Sequence, residues 1–258
     1  MKVYSFGRED APALLLLPGT WCSWESNFKQ VVPLLEDDFH VLCVSYDGFD
    51  ESEPEAEFPT MLDETLKIEG YVKACCGGHV RAAYGCSLGG SFVGLLAARQ
   101  NIGLDIGILG SSDLDQSARL PAALKSTLVP LIYPLVRDGR FKQSFLNKKM
   151  EQKMASSPEY VRAFFQEFAK GRPFLTEKSC RNQYYSDLVT PLPDGYDGST
   201  EIHIFYAAKM GPQYQARYRQ HFAHPVIHEM PLAHEELLMH YPDRWAKLVK
   251  QICLPQKG

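Results

Sequence analysis

The stretch that most constrains this chain is Tyr84-Gly85-Cys86-Ser87-Leu88-Gly89-Gly90. It follows Val80-Arg81-Ala82-Ala83 and precedes Ser91-Phe92-Val93-Gly94-Leu95-Leu96-Ala97-Ala98, so it reads as strand, tight turn and helix. A serine with a glycine two residues away on each side is the pattern G-x-S-x-G. A turn of that kind puts Ser87 in a strained backbone conformation, and any side chain at Gly85 or Gly89 would crowd it. Ser87 is thereby presented at the carboxyl end of the strand. The plainer reading is a glycine-rich turn that only packs a helix on a sheet, and the context along the chain decides between the two.

That context is an alternation. Val3 to Phe6 reads as an edge strand, and Ala13-Leu14-Leu15-Leu16-Leu17 is a continuous apolar run of strand length, as expected where helices cover both faces of a parallel sheet. Pro18-Gly19-Thr20-Trp21 ends it, and Trp24, Phe28, Val31 and Leu35 recur at helical spacing with Pro33 bending that helix. A strand over His40 to Ser45, a helix from Met61 to Cys76 capped by Thr60, and a strand over Leu104 to Leu109 continue the rhythm. From Gln116 to Thr200 it changes to a mostly helical block. There Ser157-Pro158 starts a helix with Tyr160, Val161, Phe164, Phe165 and Phe168 on one face, and Thr176 caps another. Strands at Ile202 to Tyr206 and Pro225 to Met230 and a closing helix to about Ile252 return to the first pattern. The expected fold class is α/β: a mostly parallel twisted sheet flanked by helices, with residues 1–115 and 201–258 as core and 116–200 as a helical cap insertion.

Charge and cysteine content narrow the function. The net charge is −4 and the basic residues form no cluster, which argues against a nucleic-acid surface. Seven cysteines, an odd and scattered number, do not make a disulfide framework, so a cytoplasmic location is expected. Met1 to Gly7 alternates like a strand and is not read as a signal peptide. Leu128 to Val136 is apolar but short and interrupted by Pro130 and Pro134, a greasy lid and not a membrane span. Asp50 to Glu57 is acidic, but without histidines or ligand spacing it reads as a solvated loop. No metal, cofactor, nucleic-acid or membrane partner is therefore expected, and the oligomeric state is left open.

Taken in order, these residues resemble the α/β-hydrolase family over nearly the whole chain. The matching parts are Leu14 to Trp21, His40 to Gly48, the Ser87 turn, the Gln116 to Thr200 insertion, and His234 in a loop after the last strand. The family's chain order is serine, acid, histidine. The resemblance implies Ser87 as nucleophile and His234 as its base, since a hydroxyl at its free pKa is a poor nucleophile. His203 and His228 lie within strands, His240 lies on a helix, and His221 and His224 read as surface. The backbone N–H groups of Leu88 and Thr20, with Trp21 as a fallback, are the implied oxyanion hole.

The acid departs from the pattern. After the strand ending at Tyr206 the chain reads Ala207-Ala208-Lys209-Met210-Gly211-Pro212, with Met210 where a carboxylate is usual. Some members carry the acid after the preceding strand, where Asp113 lies three residues beyond Gly110, with Asp115 the alternative. The implied activity is a serine hydrolase acting through an acyl-enzyme on a small-molecule carboxylic ester with a small to medium apolar acyl or aryl group. Thioester, amide or carbon–carbon bond hydrolysis stays open, as does a non-catalytic protein that binds a small ligand in the same pocket.

Overall fold

The computed structural model of the chain describes residues 1–116 and 119–255. The first strands and helices follow the alternation: β1 (Lys2–Phe6), β2 (Ala13–Leu17), α1 (Trp24–Phe28), β3 (His40–Ser45), α2 (Met61–Cys75), β4 (His79–Cys86), α3 (Leu88–Arg99) and β5 (Gly103–Gly110). Helices α4 (Arg119–Ser126), α5 (Val129–Asp138), α6 (Ser144–Ala155), α7 (Glu159–Ala169) and α8 (Glu177–Val189) come next. The chain closes with β6 (Glu201–Ala207), α9 (Pro212–His221), β7 (Val226–Met230), α10 (Glu236–His240) and α11 (Pro242–Cys253). This is an α/β fold in which four helices, α4 to α7, form an insertion between β5 and the rest of the sheet.

The seven strands of the described residues form one sheet in the order β1-β3-β2-β4-β5-β6-β7. Among the described residues only β1 is antiparallel, pairing with β3 as the sheet edge, and the other neighbouring pairs are parallel. The apolar run of β2 explains why the sheet is covered on both sides. Its alternate side chains point to opposite faces: Leu14 and Leu16 join Phe28, Tyr84 and Trp245, while Leu15 and Leu17 join Phe92, Val72 and Phe58. All four leucines are buried, each stabilising by roughly 2 kcal/mol relative to exposure.

The caps and breaks have local causes. Thr60 Oγ1 accepts the Asp63 N–H at 3.1 Å to open α2, and Thr176 Oγ1 accepts the Ser179 N–H at 3.0 Å to open α8. Pro33 turns the run after α1 into a short 3₁₀ segment over Val32–Leu34. Pro134 is accommodated inside α5 instead of ending it, and Pro242 divides the closing helix into α10 and α11. Of the aromatic stripe read on α7, the side chains of Tyr160, Phe164 and Phe168 lie outside the described residues.

The sheet order contains a reversal that locates the site. From β2 the chain moves outward to β3 and β1's edge, then returns to place β4 on the other side of β2 and continues to β7. In open parallel sheets the crevice beyond the carboxyl ends of the strands at such a reversal is where ligands bind. Thr20 follows β2 and Ser87 follows β4, so both stand at that crevice.

Candidate active site

Ser87 occupies the turn between β4 and α3 with φ 50° and ψ −111°, a left-handed region that a side chain enters only under constraint. The glycines around it are required by close approach. A Cβ at Gly85 would lie 2.0 Å from the Gly89 carbonyl oxygen, and one at Gly89 would lie 2.1 Å from the Leu17 carbonyl oxygen. Trp21 and Glu235, which line the same cavity as Ser87, also have positive φ, at 59° and 54°.

Ser87 opens into a cavity of about 320 Å³ whose wall also includes Thr20, Trp21, His234 and Glu235. Ile132, Leu135 and Val136 of α5, Phe165 of α7 and Tyr184 of α8 close it from the insertion side, so the greasy segment read near Leu128 does reach the site. The structure thus brings Ser87 and His234, far apart in the chain, to one cavity. Among the described residues the Ser87 hydroxyl makes no hydrogen bond to the His234 ring; such catalytic bonds commonly form only once substrate fills the site.

His234 lies in the loop between β7 and α10 and keeps an exposed edge on the cavity. Protein packed around the rest of the ring pushes its pKa below the ordinary histidine value, opposed by the Asp113 carboxylate and by the Ser111 carbonyl that holds the ring. Desolvation prevails, so the imidazole is neutral at pH 7, the form able to accept a proton. Asp113 is half-buried beyond β5; its charge raises the ring's pKa, and among the described residues no hydrogen bond joins the two. Asp115 is engaged elsewhere: Lys125 Nζ donates to it at 2.9 Å and Arg217 stands 3.6 Å away. Met210 ends a short 3₁₀ segment after β6, and the loop there holds no carboxylate.

The backbone donors sort themselves by what already occupies them. The Trp21 N–H donates to Gln183 Oε1 at 2.6 Å, and the Gly19 N–H donates to Asn27 Oδ1 at 2.8 Å. Between them, the Thr20 N–H has no acceptor among the described residues, and Thr20 lines the cavity. Leu88 is the first residue of α3, where an N–H has no partner within the helix. Two donors are therefore open near Ser87, and the fallback at Trp21 is occupied by a side chain 162 residues away.

Three residues at the site escaped the sequence reading: Asn27, Gln183 and Glu235. The first two are ordinary helix residues by pattern, and their partners are backbone groups remote in sequence. Glu235 had one signal, its place beside His234. His221, read as surface, is buried: its Nδ1 faces the Pro193 carbonyl at 3.3 Å and pairs with Asp194 at 3.0 Å. The end of α9 folds back on the loop before β6, which a pattern of polar residues does not reveal.

Among the described residues no group of three or more His, Cys, Asp or Glu is placed to hold a metal ion, and no helix is long and apolar enough to cross a membrane. Among the described residues, which include all seven cysteines, no disulfide forms. Cys86, directly before Ser87, is buried and its pKa is driven well up by desolvation, so it is no competing nucleophile at neutral pH.

A sequence profile of the alpha/beta hydrolase family matches residues 14–248, nearly the whole sheet together with the insertion. The chain belongs to the alpha/beta hydrolase family. Solved structures similar to this α/β hydrolase include a protein of Desulfitobacterium hafniense described as an alpha/beta hydrolase family protein, with TM-score 0.76 and 18% identity over 97% of this chain and 99% of that one. A marine microorganism esterase superposes with TM-score 0.70 and 11% identity over 97% and 98% of the two chains. A thermophilic esterase from Thermogutta terrifontis gives 0.67 and 16% over 97% and 92%. At these identities the likeness is one of fold. A curated relative, 1H-3-hydroxy-4-oxoquinoline 2,4-dioxygenase of Pseudomonas putida, is 42% identical over 50 residues, a match that spans 19% of this hydrolase and 19% of that enzyme.

Proposed function

We propose that this α/β hydrolase is a serine esterase acting on a small-molecule carboxylic ester. The observation that carries the reading is the strained Ser87 turn opening into a cavity shared with His234, with two unoccupied backbone N–H groups beside it. Ser87 Oγ attacks the ester carbonyl while neutral His234 takes its proton, and Asp113 stabilises the imidazolium that results. The N–H groups of Thr20 and Leu88 receive the developing oxyanion, each donor worth roughly 3 kcal/mol. His234 returns the proton to the departing alcohol, leaving an acyl-serine. Water, activated by the same imidazole, releases the acid. The cavity wall of Ile132, Leu135, Phe165 and Tyr184 favours an apolar acyl or aryl group of small to medium size. On this reading residues 116–200 act as a cap over the core of 1–115 and 201–258.

The test is hydrolysis of short p-nitrophenyl esters together with mass-spectrometric mapping of a serine-directed phosphonate. Turnover and a phosphonate adduct on Ser87, both lost in Ser87→Ala, are expected; turnover that survives that substitution ends the proposal.

A second reading rests on the short match to the dioxygenase, 42% identical over 50 residues. In it the cavity lined by Trp21, Tyr184 and His234 takes a heteroaromatic ring such as 3-hydroxy-4-oxoquinoline, and Ser87 forms no acyl intermediate. Dioxygen uptake with 3-hydroxy-4-oxoquinoline, persisting in Ser87→Ala and absent in His234→Ala, would favour it over the esterase.

A further inference from the structure

Glu235 is the least ordinary side chain near the cavity. It is 4% exposed, sits at φ 54°, and directly follows His234. Its Oε1 accepts the Ser87 N–H at 2.9 Å, an N–H that also reaches the Gly110 carbonyl at 2.8 Å. Its Oε2 accepts from the Tyr84 hydroxyl at 3.4 Å, and its own N–H donates to Ser111 Oγ at 3.1 Å. One residue therefore joins three segments: the Ser87 turn, the end of β5 and the loop that carries His234.

We propose that Glu235 is a positioning residue of this site, fastening the Ser87 turn to the His234 loop and so setting the approach of hydroxyl to imidazole. The inference rests on the reading of Ser87 and His234 as nucleophile and base. Both Ser87 and Glu235 hold positive-φ conformations that side chains rarely adopt and that persist only where the surroundings over-determine them. The hydrogen bond between them is part of that determination. Without it the Ser87 N–H keeps the Gly110 carbonyl and the Glu235 N–H keeps Ser111 Oγ, but no side chain of the His234 loop reaches the Ser87 N–H.

The carboxyl is also built to be neutral. Burial pushes its pKa up to about 8 against the pull of the Ser87 N–H, and the ionisable groups facing it, Cys86 and Tyr84 of β4, are themselves driven upward by burial. Tyr218 of α9 is also pushed up, by burial first, then by the charges of Asp113 and Glu235. At pH 7 the acid accepts the Ser87 N–H without placing a full negative charge behind the point where an oxyanion would form. Glutamine preserves that shape and neutrality; alanine removes the acceptor.

The experiment compares wild type, Glu235→Gln and Glu235→Ala by kcat and KM on a short p-nitrophenyl ester at pH 7. Amide hydrogen exchange of peptides covering residues 84–90 and 231–238 serves as a readout that needs no turnover. For Glu235→Ala the expected result is a kcat lowered roughly 30- to 100-fold, as for a misplacement near 1 Å, with KM within about two-fold. Exchange in both peptides should quicken about ten-fold or more as the local opening becomes easier. Glu235→Gln should stay within about three-fold of wild type in every measure, the rescue that separates hydrogen bonding from charge. Wild-type kcat in Glu235→Ala, unchanged exchange, or a glutamine variant as impaired as the alanine one overturns the proposal. If Glu235→Ala does not fold, Glu235→Met, which keeps the volume and removes the acceptor, takes its place. If wild type hydrolyses no ester, the esterase reading fails and the exchange comparison alone decides the positioning role.

Discussion

Replacing Glu235 by glutamine should change how the stability of the protein depends on pH, by an amount that follows from the burial of one carboxyl. Its ordinary value is 4.5, and in the fold it rises to about 8. Between those values the folded chain holds a proton that the unfolded chain has released, so stability is greatest below 4.5, falls as pH rises through that window, and is level above it. At roughly 1.4 kcal/mol per pH unit the whole window is worth about 5 kcal/mol, and the part between pH 5 and 7 about 2.5 kcal/mol. Asp187, on α8, also has a carboxyl raised to about 8 by desolvation and by the charge of Asp113, but it is present in both proteins and cancels in the difference. The assay is urea unfolding followed by tryptophan fluorescence at pH 5, 6, 7, 8 and 9, comparing wild type with Glu235→Gln. Wild type should lose about 2.5 kcal/mol relative to the variant between pH 5 and 7 and little more beyond about pH 8. Parallel stability curves for the two proteins would refute the reasoning, because they would mean that Glu235 is already ionised in the fold at pH 5.

Gly89→Ala should abolish activity and destabilise the chain by about 3 kcal/mol or more, read as a fall in the thermal midpoint, because the added Cβ would meet the Leu17 carbonyl oxygen at 2.1 Å. Asp113→Asn should lower kcat on a short ester by about 100-fold or more, whereas Asp115→Asn, which only releases Lys125 and Arg217, should stay within about three-fold. Rates over a series of acyl chain lengths should fall from hexanoyl to dodecanoyl esters in wild type. Leu135→Ala should shift the preference toward longer chains, because Leu135 and Phe165 are the wall between the Ser87 cavity and a neighbouring hollow lined by Met150 and Met154.

What was legible in the sequence was whatever depends on near neighbours. The run Leu14 to Leu17 announces a strand buried on both faces, Thr60 and Thr176 announce helix starts, and the spacing of Gly85, Ser87 and Gly89 announces a turn that no other residues tolerate. These are short-range demands of backbone geometry and hydrophobic period, so they survive in the order of the letters. The order of strands across the sheet did the rest. It placed Thr20 and Ser87 at one crevice, occupied the Trp21 N–H with Gln183, tied Asp115 to Lys125 and Arg217, and set the Asp113 charge where it raises the His234 pKa. Glu235 shows the reason most plainly. Its partner at Ser87 is 148 residues away, and its proton affinity comes from being enclosed, so neither fact exists until the chain has packed around it.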